Sequence, residues 1–189
     1  MLSISNVPVE IGDRILAAAA SCVIDFGVDR VTLAEIARRA GVSRPTVYRR
    51  WPDTRSVLAA LLTRHITATL DEVPARGSGR EALVDRVVAV AARLRGDELV
   101  IAVLRSELAL VYIAQRLGSS QQMLIDALAG DLRAAQRDGS VRPGDPRRLA
   151  AMMLLITQST IQSAAIVRPI LDADALADEL AYALNGYLS

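Results

Sequence analysis

Side chains able to do covalent chemistry are scarce in this sequence, which has one thiol, Cys22, and one imidazole, His65. No two carboxylates share a helical face with polar company, and no spacing of His, Cys, Asp or Glu suits a metal ion. A nucleophile, a general base and a metal centre all lack residues, so neither enzymatic activity nor a cofactor is expected. Gly77-Ser78-Gly79 has no Lys-Ser or Lys-Thr after it and no strand before it, and reads as a turn rather than a phosphate loop. What remains is the chemistry of charge. All 22 basic residues are arginines, and seven of them (Arg30, Arg38, Arg39, Arg44, Arg49, Arg50 and Arg55) fall between residues 30 and 55 against two acids, Glu35 and Asp53, a local balance of +5. The rest of the chain holds 15 arginines and 19 acids, a balance of −4, and the whole carries only +1. A compact basic module on an acidic body suits a polyanion such as nucleic acid.

The elements that must position these arginines are legible in residues 32–55, TLAEIARRAGVSRPTVYRRWPDTR. Thr32 with Glu35 three residues on predicts a capping box, in which the hydroxyl and the carboxylate each satisfy a first-turn N–H. Ile36, Ala37 and Ala40 share one helical face, and Ala37 is small where two helices would cross. Gly41-Val42-Ser43 makes a tight turn in which glycine tolerates a positive φ, and Ser43 caps a further short helix with Val47 and Trp51 on its inner face. This is a helix-turn-helix. With Val47 inward, Pro45 and Arg49 point most directly outward, Thr46 and Tyr48 flank them, and Arg44 stands in the first turn. Arg44 suits a bidentate contact to guanine, Thr46 and Tyr48 a phosphate or a thymine methyl, and Arg49 and Arg50 either base or backbone. Arg38 and Arg39 suit a solvated face as well as they suit phosphate.

Beyond this segment the chain reads as helical throughout. Aromatic residues are 3% of the total, and no stretch alternates β-branched with polar residues for long. A first helix fits 9–26, with Ile11, Ile15, Ala18, Ala19, Cys22 and Phe26 on its apolar face and Gly27 as terminator. Others fit 54–70, 81–95, 97–115, 119–138, 146–167 and 172–188, with the Pro-, Gly- and Ser-containing stretch 73–80 as the best linker. The apolar run 149–167 is broken by Thr157, Gln158, Ser159, Thr160, Gln162 and Ser163, which suits a bilayer poorly, so no membrane partner is expected. The opening residues lack the pattern of a signal peptide and the lone cysteine implies no oxidising compartment, so a cytoplasmic protein is expected.

Residues 15–19, ILAAA, and 27–53, GVDRVTLAEIARRAGVSRPTVYRRWPD, together with the helix start that follows, resemble the DNA-binding domain of TetR-family transcriptional regulators. More weakly, RDGSVRPGDPRRLAAMMLL, residues 137–155, resembles the entry to that family's penultimate helix. The resemblance implies an all-α homodimer with an N-terminal three-helix DNA-binding domain, residues 1–53, and a C-terminal helical ligand-binding and dimerisation domain, residues 54–189. By residue match it implies DNA contacts at Thr32, Ser43, Arg44, Pro45, Thr46, Tyr48 and Arg49, to which charge adds Arg50 and Arg55. Where the family often has Lys at the start of its fourth helix, this chain has Thr54 with Arg55 beside it. The opening stretch MLSISNVPVEIGDR, residues 1–14, holds one arginine and two acids, so minor-groove reading by a basic arm is not expected.

An effector site is expected among the middle and later helices. Leu104, Leu108, Val111, Tyr112, Met123, Met152, Met153 and Ile156, with Thr160 as a polar anchor, suit a small lipophilic or aromatic effector, because Met adapts to irregular shapes and charges are few there. The last two helices carry more apolar surface than a single-sided helix needs, which suits a four-helix homodimer interface. The function expected is a ligand-responsive, sequence-specific regulator, a repressor released from its double-stranded DNA operator by that effector. The alternative is a hydrophobic-ligand binding protein with a vestigial helix-turn-helix, which the +5 module argues against.

Overall fold

The computed structural model describes residues 10–106 and 119–189, and every regular element among them is helical. The order is α1 (Ile11–Phe26), a single 3-10 turn (Val28–Arg30), α2 (Leu33–Ala40), α3 (Arg44–Arg50), α4 (Thr54–Glu72), α5 (Gly79–Gly96), α6 (Glu98–Leu104), α7 (Ser119–Arg137), α8 (Pro146–Val167) and α9 (Ala173–Leu188). Most starts are set by a side chain that accepts from a first-turn N–H: Thr32, Ser43, Asp53, Asp97, Asp145 and Asp172 do so for α2, α3, α4, α6, α8 and α9.

Among the described residues three apolar clusters organise the helices. The first joins α1, α2, α3 and the start of α4 around Ile15, Cys22, Ile36, Ala37, Val47 and Leu58, and it is completed by Leu99 and Val103 of α6. The second packs α5, α7, α8 and α9 around Val84, Leu132, Met153 and Leu184. The third, around Val73, Val90, Leu94 and Val100, takes in Ile66 and Leu70 from the second half of α4. α4 therefore belongs to both halves of the molecule. Its far end is gripped by Arg86 of α5, which donates to the carbonyl oxygens of Val73 (2.9 Å) and Leu70 (3.2 Å), the second of which also accepts the Val73 N–H.

Two expectations are corrected here. The helix expected over 97–115 stops at Leu104: the Ser106 hydroxyl donates to the Val103 carbonyl (2.7 Å) and its N–H bonds the same oxygen, tightening the chain into a turn, and residues 107–118 lie outside the described residues. On α1, Ile11 and Phe26 are not in the core but exposed, while Leu16 and Val23 are buried instead. The Phe26 ring serves a polar neighbour, with the Arg39 guanidinium 4.6 Å from its centroid.

Candidate nucleic-acid interface

The turn between α2 and α3 is closed from both sides. Gly41 takes the left-handed conformation (φ 63°, ψ 38°), its N–H turns back to Ala37 and Arg38, and the Val42 N–H bonds the Ala37 carbonyl at 3.1 Å. Ser43 Oγ accepts from the Thr46 N–H (3.3 Å) and lies 2.7 Å from the Thr46 hydroxyl. Val47 is fully buried between the two helices, and half-buried Trp51 packs on the same core. With that face sealed, Arg44, Pro45, Tyr48, Arg49 and Arg50 are exposed on α3 and Thr46 is half-buried beside them. Of the other expected contact residues, Thr32 and Ser43 are exposed at the starts of α2 and α3, and Arg55 is exposed in the first turn of α4. Arg50 differs from the others, since it folds back over α1: a Cβ placed on Gly12 would meet its Nη1 at 3.1 Å.

The predicted capping box is only half formed. Thr32 Oγ1 accepts from the Glu35 N–H (3.2 Å), but the Glu35 carboxylate turns away from the helix start. Oε2 and Oε1 accept from Arg38 Nε (2.9 Å) and Nη2 (2.6 Å), and Oε1 also accepts from Arg39 Nε (3.1 Å). Charge-assisted bonds to two guanidinium groups outcompete one neutral N–H. The Arg38 bonds, with those from Arg39 next, hold the Glu35 carboxyl down at about 2 against an ordinary 4.5. Arg39 is anchored in turn by Asp25 and by the Phe26 ring of α1. Between α2 and α3 lies an open cleft lined by Thr32, Ala34, Glu35, Ala37, Arg38, Val42 and Arg44.

Three consecutive residues of α1 that sequence reasoning passed over tie the module together. Gly12 lies beneath Arg50 of α3, the Asp13 carbonyl accepts from Arg64 of α4 (3.1 Å), and Arg14 donates to the carbonyl of Ala40 at the end of α2 (2.6 Å). No periodic signal could have found them, because their partners lie 26 to 51 residues away.

The residues expected around an effector are partly dispersed. Met153 is fully buried in the second cluster with Ile156 packed against it, Leu104 packs on the third, and the Thr67 hydroxyl of α4 lies 3.6 Å from the Met123 sulfur. Met152 is exposed, because consecutive helical residues diverge by about 100° and its neighbour takes the inward position. Leu108, Val111 and Tyr112 lie outside the described residues. The Thr160 hydroxyl is occupied by the Ile156 carbonyl (2.8 Å), whereas the buried Thr157 hydroxyl has no hydrogen-bond partner among the described residues. His65 is half-buried on α4, with Nε2 2.8 Å from Asp97 Oδ2 at the start of α6.

Residues 15–61 match the family of bacterial regulatory proteins called the tetR family. A helix-turn-helix transcriptional regulator of Mycobacterium bovis is 70% identical over 188 residues, covering all of both chains. Among solved structures, the transcriptional repressor QsdR of R. erythropolis, from the TetR family, superposes with a TM-score of 0.70 at 21% identity over 95% of this chain and 96% of that one. The regulator FadR of Bacillus subtilis, in complex with stearoyl-CoA, superposes at 0.65 and 20% identity over 93% of this chain and 98% of that one. The chain belongs to the tetR family of bacterial regulatory proteins and is a helix-turn-helix transcriptional regulator.

Proposed function

We propose that the protein is a homodimeric repressor that binds a double-stranded DNA operator through α2 and α3 and releases it when a lipophilic effector enters the C-terminal helices. The observation that carries the DNA reading is the sidedness of α3: Val47 is buried while Arg44, Pro45, Tyr48 and Arg49 are free of the core and face outward together. A helix presented in this way docks in the major groove, where Arg44 and Arg49 suit guanine edges, Tyr48 and Thr46 suit phosphate or thymine methyl, and Arg50 and Arg55 suit the flanking backbone. Thr32 and Ser43 sit at helix starts, where N–H groups also favour phosphate. Such a protein acts where the chromosome is, in the bacterial cytoplasm.

The dimer reading rests on α8 and α9. Met152, Leu155 and Ile166 form an exposed stripe on α8, and Tyr182 of α9 and Ile170 between the two helices are exposed as well. α8 is long and apolar enough to cross a membrane, yet only 11% of that stretch is buried within one chain. A second copy covering the stripe accounts for the apolar surface without a bilayer and spaces two recognition helices for a two-fold operator. The effector reading rests on Met153 and Ile156 in the second cluster, on Leu104 at the third, and on a buried Thr157 hydroxyl without a hydrogen-bond partner among the described residues; the FadR neighbour, which shares the fold, was solved with stearoyl-CoA.

Fluorescence anisotropy against duplex DNA from upstream of the protein's own gene, at several salt concentrations and with scrambled DNA as control, tests the reading. Sequence-dependent binding with a negative salt slope is expected. Binding to every sequence alike, there and in a genome-wide selection of bound fragments, would refute it.

A further inference from the structure

We propose that Arg38 clamps a phosphate of the operator backbone and that Glu35 is the positioning residue that holds it for that contact. This rests on the DNA-reading interpretation of α2 and α3 and extends it to the cleft between them.

The arrangement is a relay of charges starting from α1. Asp25 and the Phe26 ring fix Arg39, Arg39 fixes Glu35, and Glu35 grips Arg38 with two parallel bonds through Nε and Nη2. A fork of this kind leaves three of the five guanidinium N–H bonds of Arg38 available, and the side chain is 70% exposed. An isolated exposed ion pair holds a side chain only weakly, but a bidentate pair within a network is the exception. The held group borders the cleft it shares with Thr32 and Arg44, and Ala34, one turn earlier on the same face, is too small to block approach. An acid lining a DNA-facing cleft repels phosphate unless it contributes something else. Here it fixes the direction of a longer cation, so that less side-chain freedom is lost when DNA arrives.

The two roles of Glu35 predict opposite signs. The experiment takes the full-length protein, selects a duplex from a random-sequence library with the wild type, and measures affinity for that duplex against salt. Glu35→Gln keeps the backbone N–H that Thr32 caps while weakening the fork. It should weaken binding by the dimer roughly a hundredfold although it removes a negative charge, the size of one lost charge-assisted contact in each protomer. Arg38→Ala should weaken binding by a similar factor and reduce the magnitude of the salt slope by about two, one for each protomer of the dimer. In the Arg38→Ala background, Glu35→Gln should cause no further loss. Arg38→Lys, which keeps the charge without the fork, should lose part of the affinity with the slope retained. Circular dichroism melts establish that each variant is folded. Unchanged or tighter binding by Glu35→Gln overturns the positioning role, and an unchanged slope in Arg38→Ala overturns the clamp. Failure of the wild type to select any sequence would instead refute the DNA reading beneath both.

Discussion

The Arg14 guanidinium of α1 donates to the carbonyl oxygen of Ala40, 2.6 Å away, and so caps the C-terminus of α2 from a helix 26 residues earlier in the chain. A cation at a helix C-terminus is favoured by the partial negative charge there, and a bond from a charged donor contributes more than a neutral one. Arg14→Ala should lower stability by about 1–2 kcal/mol in urea unfolding. Because the turn that sets the angle of α3 begins at Gly41, operator affinity should fall as well. An unchanged unfolding midpoint would show the capping bond to be dispensable.

Gly41 itself admits little else. Its φ of 63° lies where an L side chain meets the following carbonyl, and a Cβ there would also stand 3.2 Å from Arg14 Nη2. Gly41→Ala should therefore cost about 1–2 kcal/mol, while Gly41→Asn, which visits this conformation more readily, should cost less. Melting temperatures that fail to rank wild type, Asn and Ala in that order would refute the strain argument.

The Glu35 carboxyl sets an acid-side pH dependence. Its folded value of about 2 lies below the ordinary 4.5, chiefly through the Arg38 hydrogen bonds and next through Arg39. A depressed carboxyl stabilises the fold fully above its unfolded value and loses that contribution as pH falls through the folded one. The loss from this group should therefore fall between pH 4.5 and 2. The unfolding midpoint of wild type should drop more steeply across that window than that of Glu35→Gln, and parallel curves would show that the fork does not persist in solution.

How much of this was legible beforehand depended on the range of the interactions. Thr32, Gly41, Ser43 and Val47 were readable because a cap, a left-handed turn and an inward face are each decided within a few residues. The destination of the Glu35 carboxylate was not, since the capping-box pattern is identical whether the acid returns to the helix start or turns to Arg38 and Arg39. Asp25 and Phe26, which tip the balance by anchoring Arg39, come from α1. The roles of Arg14 and Gly12 were invisible for the same reason, and so was the completion of the first core by Leu99 and Val103, more than seventy residues after α1, the helix they pack on. At the candidate effector site, periodicity marked Met152 and Met153 as apolar without saying which of two adjacent residues faced inward.

The exposed stripe on α8 gives a test of assembly. If Leu155 lies at the centre of a two-fold interface, Leu155→Glu places two unpaired carboxylates in apolar surroundings, where desolvation is costly. Sedimentation equilibrium should show dimer association weakened at least ~100-fold, with the far-ultraviolet spectrum unchanged, since Leu155 is exposed in the single chain. A variant that remains dimeric would move the interface elsewhere.

Thr157 separates a binding role from a packing one. The hydroxyls of Thr63, Thr67, Thr69 and Thr160 each donate to the carbonyl one turn earlier, at 2.8 to 3.0 Å, which is the ordinary way a helix satisfies a threonine. Thr157 has Met153 one turn before it and Ile161 one turn after it, both packed into apolar clusters, and its Oγ1 is buried without a partner among the described residues. An unsatisfied buried hydroxyl destabilises the protein that holds it, so the isosteric Thr157→Val should raise stability by about 1 kcal/mol in the absence of any effector. The same substitution should abolish or weaken effector-driven release of the operator if the hydroxyl is the polar anchor of the site. A loss of stability in Thr157→Val would mean that the hydroxyl is already satisfied in solution, leaving the interior apolar throughout and the anchor to be sought on another helix.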